Sequence, residues 1–196
     1  MQSRFRKKSI YCVALHPSSL RRTKSTPHSS GFARLAYELF TKPSNSRLFT
    51  SSQSFKDGGT MHSITIPQHI FDDMIAYCRE GCPNEVCGIL AGTGHEVSRL
   101  FRMRNVESSP VSYLMDSKEQ FEAMKALRDE RLSMVALFHS HPASAAYPSA
   151  KDVALAFYED SAYVIVSLSE REPLVKAFFI TNGIVEEIGI RVCHPL

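Results

Sequence analysis

The chain has 196 residues, 22% of them charged, and a formal net charge of +3, a length that suits one domain with or without a tail. That charge divides at Met61: residues 1–60 hold eleven Lys/Arg against Glu38 and Asp57, a formal +9, whereas residues 61–196 hold twelve against eighteen Asp/Glu, a formal −6. The acidic part offers no basic footprint for nucleic acid, no run of 18 apolar residues offers a membrane span, and five cysteines at irregular spacing argue against a secreted disulfide framework and for a reduced, cytoplasmic setting.

Residues 1–60 are Ser- and Arg-rich, and such a composition buries too little apolar surface to offset chain entropy, so a disordered basic extension is expected. It reads either as a transit peptide or, preferably, as leader upstream of a start at Met61, since Gly58-Gly59 can be encoded as a ribosome-binding sequence. The folded domain is expected over 61–190, with 191–196 a tail in which Cys193-His194 reads as a frayed end rather than a stray metal pair.

Within the domain, His62 to Ile66 alternates polar and apolar as a half-buried strand does. Pro67 opens a helix with Ile70, Phe71, Met74, Ile75 and Cys78 on one face, ended by Gly81 and Pro83. Cys78, Cys82 and Cys87 lack the paired spacing of a zinc ribbon and read as small buried hydrophobes. Val86 to Ala91 and Glu96 to Arg104 are strands joined at Gly92-Thr93-Gly94. Asp116 to Glu119 is a capping box before a helix carrying Phe121, Met124 and Leu127. Met134 to Phe138 is a buried strand, Ser149 starts another helix, and strands at 163–168, 175–180 and 184–188 close the domain. The order is mixed and without repeats, which predicts a single three-layer-like α/β sandwich around a mixed, mostly antiparallel sheet.

The chemistry concentrates in His139-Ser-His141 and the loop that follows it. Two histidines at i and i+2 at a strand end face the same side, so both imidazoles can reach one ion. Asp152 enters from the first turn of the next helix. Two neutral nitrogens and a hard carboxylate, with a position open for water, suit one hydrolytic zinc ion per chain. Taken alone, Ser149-Ala-Lys-Asp152 is a helix cap, and Asp152 turned toward a metal is not expected to close that box as well. Ser140, between the histidines, points away from the metal.

His139-x-His141, seven intervening residues, Ser149, two more and Asp152 together resemble the JAMM (MPN-plus) metallopeptidase motif, and Glu85-Val-Cys-Gly-Ile-Leu-Ala-Gly92 resembles that family's upstream glutamate and strand. The resemblance spans about Ser63 to Ile188 and implies a cytidine-deaminase-like fold with zinc on His139, His141 and Asp152. It implies Glu85 as the base that takes a proton from the attacking water and passes it to the leaving amine. It implies Ser149 as the donor to the oxyanion. It further implies cleavage after the C-terminal Gly-Gly of a ubiquitin-like protein. A chain without large insertions resembles the compact bacterial type, which suggests a sulfur carrier as substrate, whose tail could add beside an exposed strand. No nucleic-acid or membrane partner is expected, and open strand edges would permit a homodimer. The rival readings are a metal-free MPN scaffold and a RadC-like DNA-repair-associated protein.

Overall fold

Ser63–Pro67 alternates half-buried and buried residues and forms β1. Pro67, at φ −58° and ψ 141°, ends that strand and caps α1 (Gln68–Glu80), which buries Ile70, Met74 and Cys78 at four-residue intervals. The Gly81 N–H closes on the Tyr77 carbonyl at 3.2 Å. β2 (Cys87–Thr93), β3 (Glu96–Met103), α2 (Ser117–Asp129), β4 (Ser133–His141), α3 (Ala150–Ala154), β5 (Ala162–Ser167), β6 (Leu174–Thr181) and β7 (Ile184–Cys193) follow in the order expected. The computed structural model describes residues 63–194, so the expectations made for residues 1–60 lie outside the described residues.

The α/β class holds, but the sheet is not a flat layer between helices. Its strands run β1-β3-β2-β4-β5-β6-β7 and close into a barrel. β1 makes the closure, pairing in parallel with β7 from Ser63↔Gly189 to Pro67↔Cys193, and with β3 at Thr65↔Glu96. Cys193 is therefore the last residue of a paired strand. Strand edges expected to be open are turned toward each other, since closure removes edges at the cost of bending the sheet.

Two apolar clusters lie on opposite faces of this sheet. One holds Ile64, Ile66, Leu90, Phe138, Val164 and Val166 with α1 packed among them. The other holds Ile89, Leu137, Tyr163, Ile165 and Phe178. β5 is buried at every residue, which is why it reads as a continuous apolar run rather than an alternation. In β4, Phe138 belongs to the first cluster and Leu137 to the second. His139 and His141 therefore emerge on the Leu137 face.

α2 departs from expectation twice. The Asp116 side chain accepts from the Lys118 and Glu119 N–H groups, but Glu119 turns its carboxylate to the Arg104 N–H at 2.6 Å, so the reciprocal half of the box is not made. Phe121 is 52% exposed, and Ala123 and Leu127 are the buried residues of the helix. Residue 121 lies about 200° around the helix from residue 123, on the far side from the sheet.

Among the described residues no helix is long and apolar enough to cross a membrane. Gly88 is required by close packing: a Cβ there would meet the Phe101 carbonyl oxygen and a Phe138 ring carbon, each at 2.3 Å. Phe138 is wholly buried against it. Phe138→Ala is expected to lower the unfolding free energy by about 3–5 kcal/mol, measured by urea denaturation.

Candidate metal centre

β2 and β4 run antiparallel with Cys87 opposite His139. Continuing that register places Glu85 level with His141, and the two-residue period puts both on the face that carries His139. The alignment is held by two bonds: the Ser140 N–H donates to the Val86 carbonyl at 3.0 Å, and the Val86 N–H donates to the Ser140 hydroxyl at 3.0 Å. Ser140 does point away from the histidines, as alternation predicts. Its burial has a use that the sequence did not reveal, because it fixes the residue next to Glu85.

The three expected donors converge. His139 Nε2 and His141 Nε2 are 3.1 Å apart, and Asp152 Oδ2 lies 3.5 Å from the first and 3.6 Å from the second. Two atoms each about 2.05 Å from a tetrahedral zinc stand roughly 3.3 Å from one another, so this triangle has the edge lengths of a zinc ligand face. It is also the one group of three or more possible metal donors found among the described residues. The residues present thus fit the ion that the motif implies.

The rings are oriented for that role. His141 donates from Nδ1–H to the Ala145 carbonyl at 2.7 Å, leaving the Nε2 lone pair free toward the centre. Among the described residues the buried Nδ1 of His139 meets no hydrogen-bond partner. The Tyr113 ring stacks on it instead, at 4.5 Å between centroids and 28° between planes. Burial lowers the His139 pKa, keeping the ring in the neutral form a metal needs. For His141 burial opposes charge, but the hydrogen bonds with Asp152 and Ala145, together with the nearby Glu85, carry its pKa up.

Asp152 corrects the sequence reading. Its Oδ2 accepts the Ser149 N–H at 2.7 Å while the same oxygen faces both histidines. The Ser149 hydroxyl accepts the Asp152 N–H at 3.2 Å, so the capping box is complete in both directions. A carboxylate oxygen has lone pairs for both duties, and the box and the centre are not exclusive. Ser149 caps through its side chain, the hydroxyl oxygen accepting from the backbone of the residue whose carboxylate closes the box. Burial would raise the Asp152 pKa, but the two imidazoles and Ser149 against its carboxylate hold it far below the usual carboxylate range.

Glu85 is 5% exposed, and no hydrogen bond to its carboxylate occurs among the described residues. Burial pushes its pKa up to about 7, with the His141 charge pulling against that and Asp152 adding to it. A carboxyl poised near neutrality is able both to take and to return a proton at physiological pH. At the rim, Lys151, beside Asp152, pairs with Glu107 at 2.7 Å. Tyr113 and Glu107 were not foreseen, because both reach the site from a loop whose course no local pattern announces. Cys78 and Cys87 are buried, free thiols, and burial raises the Cys87 pKa to about 12. Both pack in the apolar clusters on either face of the sheet.

The family of prokaryotic homologs of the JAB domain matches residues 67–180. The "CysO-cysteine peptidase" of Mycobacterium bovis and of Mycobacterium tuberculosis is 37% identical over 139 residues, covering 68% of this chain and 94% of the relative. A "probable TtuB-protein conjugate cleaving protease" of Thermus thermophilus is 34% identical over 128 residues, 65% of this chain and 81% of that one. A protein of Desulfitobacterium hafniense with a solution structure is 38% identical, with a TM-score of 0.62 over 68% of this chain and 94% of its own.

One consequence of the Glu85 environment is testable without substrate. A carboxyl whose pKa folding raises from 4.5 to about 7 costs stability progressively as pH rises between those two values, and in full above about pH 7. Glu85→Gln removes that cost. In metal-free protein the variant is expected to melt above the wild type at about pH 8, with the gap closing toward about pH 4, as read by thermal melts across pH.

Proposed function

The chain belongs to the family of prokaryotic homologs of the JAB domain, and from that premise we propose that it is a zinc peptidase acting after the C-terminal Gly-Gly of a ubiquitin-like sulfur carrier. The observation that carries the proposal is the triangle of His139 Nε2, His141 Nε2 and Asp152 Oδ2 with edges of 3.1, 3.5 and 3.6 Å. Two relatives bear names stating what they cleave, a CysO–cysteine bond in one and TtuB–protein conjugates in the other. The substrate proposed here is of the same kind, a small carrier protein joined at its C-terminus to an amine.

His139, His141 and Asp152 would hold the zinc, which when bound lowers the pKa of water toward 7 and polarises a carbonyl. Glu85, buried and near neutrality, takes the proton of the attacking water and gives it to the departing amine. Ser149, whose hydroxyl oxygen accepts the Asp152 N–H, turns its hydroxyl proton to the oxyanion as the carbonyl becomes tetrahedral. The buried β4 strand holds both imidazoles, so the site needs little rearrangement to act. Gly-Gly suits such a site because no Cβ blocks the approach of the tail backbone. A cytoplasmic setting belongs to the same proposal and is supported by the four free cysteines among the described residues.

The test is incubation of the zinc-loaded protein with carrier fusions extended beyond Gly-Gly, the products being weighed by mass spectrometry. Cleavage after the second glycine is expected, with about one zinc per chain and none retained by His139→Ala or Asp152→Ala. Ser149→Ala is expected to lower kcat by about 10²–10³. Glu85→Ala should keep zinc and lose turnover, and the acid limb of kcat/KM should fall at or below about pH 7, because the base works ionised and zinc can only lower its pKa. Cleavage that survives chelation, or that is unchanged in Glu85→Ala, would defeat the mechanism.

A further inference from the structure

Glu85 precedes β2 and belongs to no helix or strand, so the barrel ladder does not itself fix the peptide that carries the base. Val86 is bonded to Ser140 on one side, and the N–H and C=O of Glu85 itself are held by the segment between β3 and α2. The Glu85 N–H donates to the Ser109 carbonyl at 2.8 Å, and the Glu85 carbonyl accepts from Asn105 Nδ2 at 2.9 Å. Both polar groups of the Glu85 peptide are thus tied to one loop.

Asn105 organises that loop. Its second Nδ2 proton goes to the Ser112 carbonyl at 3.1 Å. Its Oδ1 accepts from the Glu107 N–H at 3.0 Å and from the Leu114 N–H at 3.1 Å. An amide side chain offers two donors and two lone pairs, and all four are used. Rotating the amide would set its NH₂ against two N–H groups and its oxygen against two carbonyls, so the partners themselves fix its orientation. The residues so gathered reach three members of the site. Ser109 and Asn105 hold Glu85, Tyr113 stacks on His139, and Glu107 pairs with Lys151 on the helix that carries Asp152.

We infer that Asn105 is a positioning residue, which through loop 105–115 holds Glu85 in place over the His139–His141–Asp152 centre. It touches neither substrate nor metal; it acts through the Glu85 peptide. The catalytic consequence rests on the peptidase reading above, whereas the structural consequence does not. Few side chains could take its place at residue 105: serine has one donor, and aspartate has none when ionised.

Asn105→Asp is the sharpest test, being of equal size and keeping both acceptors while losing both donors. In the zinc-loaded protein it is expected to speed hydrogen exchange of the Glu85 amide at least about tenfold, with Ile89 and Val164 in the strands unchanged. Kcat should fall by roughly 10²-fold, the scale on which about 1 Å of misplacement costs rate, with KM within about threefold and zinc still one per chain. Asn105→Ala serves as the second variant should the aspartate prevent folding, and the same pattern is expected of it. Unchanged exchange at Glu85, or exchange that rises equally at Ile89 and Val164, overturns the inference, as does a lowered melting temperature with kcat of the folded enzyme intact. If the wild type cleaves no carrier fusion, the peptidase reading falls, and the exchange comparison still decides for or against the Asn105 clamp.

Discussion

The pairing of β2 with β4 is the constraint on which the site depends. Cys87 opposite His139 and the two Val86–Ser140 bonds bring a glutamate before one strand level with a histidine at the end of the other. A slip of one residue would turn Glu85 or the histidines into the opposite face of the sheet. Such a slip is opposed on both sides, since β4 is buried from Val135 onward and Phe138 fills the space that Gly88 leaves. The packing that stabilises the barrel is therefore also what sets Glu85 against the His139–His141–Asp152 cluster.

The centre gathers groups that would not otherwise be buried together. His139 loses charge to burial, Asp152 keeps its charge through hydrogen bonds, and Glu85 is brought near neutrality. A cation among them would satisfy the lone pairs that face inward, and the surrounding fold supplies the order in advance. α3 has only five residues, too few to stand as a helix on its own. Its capping box and the Lys151–Glu107 pair hold it in place, so that the residue which ends the box is also the third donor. Local capping and site geometry are one arrangement here.

Much of this was legible in the sequence where the rule is local. Histidines two apart on a strand share a face whatever the fold around them, and Ser149-x-x-Asp152 caps a helix from its own spacing. The element order could be followed because apolar periodicity near 3.6 in the two longer helices differs from the alternation or short apolar runs of the strands, and turn residues mark the strand-to-strand junctions. The misreadings share a cause. Phe121 looks like a core residue until the sheet chooses the Ala123–Leu127 face. The exclusion of Asp152 from its own cap treated one oxygen as having one partner. Closure through β1 and β7, the stacking of Tyr113 and the contacts of Asn105 depend on chain segments meeting from far apart, which no window of sequence contains.

The sequence by itself determined which side chains could form a donor set: two imidazoles on one strand face, a carboxylate in the first turn after a loop, and a serine placed to cap. Short-range geometry suffices for these, because period and spacing act within a few residues. Only the tertiary structure decided that Glu85, whose neighbour Val86 lies 54 residues from its partner Ser140, stands beside that set with its pKa raised. Burial and long-range pairing arise from the closed sheet as a whole, and an isolated segment has neither.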